Sequence, residues 1–285
     1  VTEAHADGRV RGYSARSTLP LRTELARQFK RRRTQLALGF LALLPVILAI
    51  AFAVGGSDAD SNTGGLIELG TRSGVNFTVF ALFVSVGFLL IVVVSLFFGD
   101  AVASEASWSS LKYLLAIPVP RTRLLAQKAV VSAILSALAI VVLVGVSLLL
   151  GTIFYGTGSL VSPFGDSLPY ATALGRLGIG VAFIAINMLW VAGLALALSV
   201  STDAPLGAVG GTVMVSILVQ ILDQITALGS LRNVLPGHYS TSWTSVLSPT
   251  LQWDDLLVGA FSSVAYATVF GLLAWRRFAT KDITS

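Results

Sequence analysis

Ionisable side chains are rare in this sequence, and their positions limit the chemistry they support. Its two histidines, His5 and His238, are far apart in a chain without cysteine. That leaves no Cys/His zinc set and no thiol nucleophile. An intramembrane serine hydrolase would need a histidine and a serine within apolar spans, whereas His238 falls in a polar segment beside Tyr239 and Ser240. No GxxxxGK[ST] pattern occurs, so the chain lacks the turn whose amides and lysine cradle nucleotide phosphates. What remains is the chemistry of binding and of transmitting motion. Gln220, Asp223 and Gln224 are spaced i, i+3 and i+4 and share one helix face, either lining an outer vestibule or sitting at head-group depth. Asn187 lies in the middle of an apolar run, where an amide exposed to hydrocarbon is costly, so it should face protein or water.

The largest polar stretch inside the apolar body runs from Asp100 to Lys128. Glu105 leads into a short helical pattern in which Trp108, Leu111, Leu114 and Leu115 form one apolar strip. Pro118 and Pro120 end it, because proline donates no backbone N–H and biases its predecessor away from helix. Arg121, Arg123 and Lys128 then open the next apolar run. The pattern fits a short helix lying across the membrane surface.

Glu105, Ser109-Ser110-Leu111, Leu114-Leu115-Ala116, Pro118-Val119, Arg121 and Lys128, in that order, resemble the coupling-helix region of ABC-2 type permeases, the membrane subunits of one class of ABC exporter. Ser109 stands where that family often has glycine. The resemblance implies that a helix between spans two and three docks on a separate ABC ATPase and transmits its closure through Glu105, Trp108, Leu111, Leu114, Pro118 and Arg121. It also implies two permease subunits, alike or different, paired around a path, with two ATPase copies that bind ATP and Mg. This chain itself would hold no cofactor and no metal. The alternatives are an ion-gradient-driven secondary transporter, which calls for ionisable groups near the membrane midplane, and a non-transporting membrane scaffold or sensor.

These residues must be positioned by spans. The 285 residues are 55% hydrophobic and 12% charged, with a mean hydropathy of +0.84, which marks an integral membrane protein. Six apolar runs, near Leu36–Val54, Phe77–Phe98, Leu124–Tyr155, Ala173–Val200, Leu206–Leu228 and Leu256–Trp275, are each long enough to cross roughly 30 Å of hydrocarbon. The expected fold is therefore an all-α membrane protein with six transmembrane helices, an amino-terminal interfacial amphipathic helix and a cytoplasmic coupling helix between spans two and three. Placing both termini in the cytoplasm puts sixteen of nineteen Lys and Arg residues inside, as the positive-inside rule requires. A multi-pass protein of the plasma or inner membrane follows.

Residues 1–18 read as a mobile cytoplasmic tail and residues 19–35 as the interfacial helix, with 36–282 forming the six-span domain. In that helix Leu21, Leu25 and Phe29 form a narrow apolar stripe, with Arg31, Arg32 and Arg33 among the basic residues expected on lipid phosphate. The apolar run after it is too long for a signal-peptide core. Although the net charge is +5, nine of the basic residues precede position 35, and membrane lipid is the expected partner rather than nucleic acid. Gly55–Asn76 reads as a flexible outer loop, and the aromatic segment Gly229–Asp255 as one lying at the outer interface. Gly207, Gly210 and Gly211, and Ser132 with Ser136, point to close helix packing.

Overall fold

The computed structural model describes residues 20–55, 64–107, 120–162, 166–248 and 250–280. The expected tail, residues 56–63 of the expected outer loop and the expected short helix through Trp108, Leu111, Leu114 and Pro118 lie outside the described residues. The chain folds into α1 (Leu21–Phe29), α2 (Arg32–Gly55), α3 (Gly64–Thr71), α4 (Gly74–Val86), α5 (Leu89–Ser107) and α6 (Arg121–Tyr155). A hairpin of two-residue strands follows, β1 (Leu160–Val161) paired antiparallel with β2 (Ser167–Leu168). Then come α7 (Tyr170–Asn187), α8 (Leu189–Ser201), α9 (Pro205–Gln224), two 3-10 helices (Thr226–Val234 and Ser242–Leu247) and α10 (Asp254–Thr280).

Six helical stretches among the described residues are long and apolar enough to cross a membrane: Arg32–Val54, Leu89–Ser107, Arg121–Tyr155, Tyr170–Ser201, Pro205–Gln224 and Asp254–Thr280. The chain is a multi-pass membrane protein, and helix is the form that satisfies every backbone group of such a segment from within. α5 is the central element, with 78% of its apolar window buried against 22% for α2 and 17% for α10. It packs on α6, α8 and α9.

Several boundaries differ from those expected. The first spanning helix already starts at Arg32, after a break at Lys30–Arg31. The second is shifted: α4 and α5 are separate helices that meet at Gly87–Phe88, and α5 continues past Phe98 to Ser107. The polar residues beyond Phe98 read in sequence as the end of a span, yet Asp100, Ser104 and Glu105 are buried; Asp100 and Glu105 pair with cations of other elements, and Ser104 donates to Asp100 O within α5. The fifth span ends at Gln224, where Ile225 turns extended, so Leu228 belongs to the first 3-10 helix. Residues 64–76 are not loop but α3 and the start of α4, capped by Ser73, whose Oγ accepts from Asn76 N.

Of the expected glycines only Gly211 meets another helix, where a Cβ would lie 3.3 Å from Leu198 Cδ1, and the tightest packing is set by others. A Cβ on Gly74 would lie 2.6 Å from Thr152 N, and one on Gly193 3.0 Å from Ala267 Cα, whereas Gly207 has only its own turn nearby and Gly210 faces open space. Gly156, at φ +74°, ends α6 in a conformation that favours glycine. Its carbonyl accepts from Gly74 N at 2.9 Å. Ser132 does hold helices together, donating to Phe97 O across α5 and α6 at 2.8 Å.

Candidate functional site

The densest polar cluster lies at the Arg32 end of the bundle, where α1, α2, α5 and α6 meet. On α1, Glu24, Arg27 and Gln28 share a face by their i, i+3, i+4 spacing. Arg27 and Gln28 donate to Glu24 at 2.8 and 3.2 Å. The last turns of α5 supply Asp100 and Glu105, and the second turn of α6 supplies Lys128. Lys128 Nζ donates to Glu105 Oε1 at 2.5 Å, and both side chains are about 5% exposed or less. Arg27 reaches the same oxygen at 2.9 Å, and Lys128 lies 3.8 Å from Glu24. Asp100 pairs with Arg33, and with Arg31 at 3.5 Å.

Burial of these charges is tolerated because each is paired; removing one partner would leave its mate desolvated and uncompensated. Burial opposes ionisation of Glu24, but Arg27 and Lys128 outweigh it and hold the carboxyl below its ordinary range. Desolvation likewise works against the Arg27 charge, and the carboxylates of Glu24 and Glu105 overcome it. The network fastens α1 to the two helices that bracket the 108–119 connection.

A side chain of α8 reaches the α5 backbone just before Glu105. Ser199 Oγ on α8 accepts from the backbone N–H groups of Val102 and Ala103 at 3.0 and 3.1 Å. A side chain that competes for helix amides in this way is one of the causes of helix bending.

The structure brings some of the singled-out residues together and separates others. Glu105 joins Lys128 and Arg27, while Arg121, which opens α6, donates to Ala279 O on α10 at 3.4 Å. Leu21 and Phe29 are exposed and Leu25 packs against the core. Arg32 is exposed, but Arg31 and Arg33 turn towards Asp100. The sequence did hold a signal for this. Two carboxylates in an otherwise apolar run require cations at the same depth, and both the basic cluster before α2 and Lys128 are within reach.

Asn187 is 1% exposed, at the break between α7 and α8, and donates to Ser263 Oγ on α10 at 3.1 Å. Its Oδ1 is buried without a hydrogen-bond partner among the described residues. Gln220 and Asp223 share a face but not a partner. Gln220 donates to Gly87 O at the α4–α5 break at 2.8 Å. Asp223 lies 2.5 Å from His238 Nδ1 and 3.7 Å from Arg232 Nε, tying α9 to the segment that follows it. Gln224 is exposed. Sequence reasoning did not connect His238 with Asp223, because they are 15 positions apart across a segment with no regular apolar period.

At the same end as Asp223, a cavity of about 700 Å³ lies between α4, the hairpin and the second 3-10 helix. Phe80, Phe83 and Val84 form its apolar wall, and Ser242, Thr244 and Ser245 line the other side. Asn76 fixes the hairpin wall, donating to Val161 O at 2.8 Å and accepting from Val161 N at 3.0 Å. Trp243, 1% exposed, is seated against Gly180 of α7 and closes the base. Arg176 donates to Val246 O and Ser248 O, holding that 3-10 helix in place.

No group of three His, Asp or Glu side chains among the described residues is placed to hold a metal ion. No curated protein matches the chain. A family model does match, over residues 65–284, which takes in α4 to α10 and the network residues Asp100, Glu105 and Lys128, and the chain thereby belongs to the family described as protein of unknown function DUF2705.

Proposed function

We propose that this chain is the permease subunit of an ATP-driven exporter of the ABC-2 type, with the 100–128 segment coupling it to a separate ATPase. The observation that supports this most is the buried Glu105–Lys128 pair, 2.5 Å across. It clamps together the helix entering that segment and the helix leaving it. A push on the segment then moves α5 and α6 as one body, and α1 follows through Arg27. The Ser199 contact, less than one turn before Glu105, gives α5 a place to bend. Such an arrangement suits rigid-body transmission between two discrete states.

In this reading α1 and the Arg32 end are cytoplasmic, in keeping with the distribution of Lys and Arg. Two permease chains and two ATPases make the working unit, and the ATPases bind ATP and Mg. The cavity beneath Phe80 and Trp243 is then on the outer side, and its mixed apolar and hydroxyl lining suits an amphipathic cargo. An ion-driven transporter has less support, since Asp100 with Arg33 and Glu105 with Lys128 sit at one end of the bundle as neutralised pairs.

The test is co-expression with a candidate ABC ATPase and purification through a tag on either chain. The pair co-purifies and hydrolyses ATP, and Glu105→Gln leaves the complex intact while lowering transport-linked hydrolysis several-fold. A chain that captures no ABC ATPase, or a Glu105→Gln variant with unaltered coupling, contradicts the proposal.

A further inference from the structure

α8 and α10 pack closely at Gly193, where the absent Cβ lets Ala267 approach. One to two turns further on, a cavity of about 520 Å³ opens between them. Leu194, Ala197, Leu198 and Ser201 fall on one face of α8 by their i, i+3, i+4, i+7 spacing, and Phe270 and Leu273 line the wall opposite. Arg276, Arg277 and Thr280 stand at its mouth. Both arginines are exposed, and no acidic side chain lines the cavity. Neither is ion-paired among the described residues.

Trp275, 50% exposed on the same turn, belongs at the membrane–water interface, where amphipathic rings collect. The two guanidiniums then stand at phosphate depth, and the apolar slot beneath them runs into the acyl region. A guanidinium offers several N–H donors in a fork that matches phosphate oxygens.

We infer that this groove between α8 and α10 is a binding site for an anionic phospholipid, with its phosphate on Arg276 and Arg277 and an acyl chain between Leu198 and Leu273. The site is independent of the transport reading, because it rests on the groove and its charge alone. Basic pockets between spanning helices select anionic head groups by charge, while the slot selects for an attached chain.

The experiment uses the full chain in nanodiscs containing brominated-chain phosphatidylglycerol or, at the same mole fraction, brominated-chain phosphatidylcholine. Quenching of Trp275 is isolated by difference from a Trp275→Phe variant. Phosphatidylglycerol quenches more strongly, corresponding to a local enrichment of roughly thirtyfold for two arginines. The preference disappears in Arg276→Gln/Arg277→Gln and persists in Arg22→Gln/Arg32→Gln, whose exposed arginines lie outside the groove. Ala197→Phe, which fills the slot and keeps both arginines, also abolishes it. Equal quenching by the two lipids in the unaltered chain overturns the inference. So does full preference in Ala197→Phe, which would mean general attraction to a basic surface. If that variant does not fold, the contrast between the two double-arginine variants decides the matter.

Discussion

Lys128→Met is the perturbation whose cost can be worked most directly from the structure. Lys128 and Glu105 are 4% and 5% exposed and 2.5 Å apart. Two unit charges at about 4 Å interact by about 4 kcal/mol at an effective dielectric of about 20, and removing one partner of a buried pair costs about 3–5 kcal/mol. Arg27 still reaches Glu105 at 2.9 Å in the variant, but its side chain is 49% exposed. A screened contact of that kind contributes about 1 kcal/mol at most, so it offsets little of the loss. We expect Lys128→Met to destabilise by about 3 kcal/mol, which lowers Tm by roughly 6–12 °C for a chain of this size. Arg27→Met should cost about 1 kcal/mol or less. Glu105→Gln/Lys128→Met removes both charges and should be far less damaging than the sum of its single variants, a coupling of about 2 kcal/mol or more. Thermal unfolding in one detergent, followed by Trp fluorescence for the unaltered chain, Lys128→Met, Arg27→Met, Glu105→Gln and the double variant, reads these differences. Equal losses for Lys128→Met and Arg27→Met, or simple additivity in the double variant, would refute the buried-clamp reasoning.

Three further outcomes are expected. Gly151→Ala places a Cβ 2.7 Å from Gly74 O, so α4 and α6 must part and Tm falls; Gly145→Ala on the same helix meets open space and leaves Tm unchanged. Because the Glu24 carboxyl is held below its ordinary range in the folded chain, its stabilisation is fully present above that range and is lost as pH falls through the folded value. The Tm gap between the unaltered chain and Glu24→Gln therefore closes on acidification, and a gap independent of pH would exclude Glu24 as the source. In this cysteine-free chain, a thiol placed at exposed Ser230 reacts with an impermeant maleimide in intact cells, while one at exposed Ser201 reacts only after permeabilisation; the reverse pattern would invert the topology.

The six crossings were legible in the sequence because transfer of apolar residues into hydrocarbon is local and nearly additive, so the runs Leu36–Val54 and Leu256–Trp275 needed no knowledge of neighbours. The ends of spans were harder to read. α5 continues to Ser107 because Asp100 and Glu105 find cations on α1, α2 and α6, and such pairing is a property of the assembled bundle. For the same reason Arg31 and Arg33 read as lipid-facing basic residues, although the fold turns them towards a buried carboxylate. Asn187 was recognised as costly in hydrocarbon, but Ser263, its partner 76 residues away, carries no periodic signal. Gln220 was similarly grouped with Asp223 by helical spacing, yet it donates to Gly87, a carbonyl at a helix break that no apolar pattern announces. The α8–α10 groove depends on a crossing at Gly193 and could not be seen in either helix alone.

The most direct test of the central claim is to change Leu111 and Leu114 together to Asp and measure binding of the partner ATPase and transport-stimulated ATP hydrolysis. Each leucine, buried on docking, would contribute roughly 1.5–3 kcal/mol. The account therefore predicts that the double variant inserts normally, binds the ATPase a hundredfold or more weakly, by roughly 3–6 kcal/mol, and loses stimulated hydrolysis. Full retention of ATPase binding and stimulated hydrolysis in the double variant would contradict it.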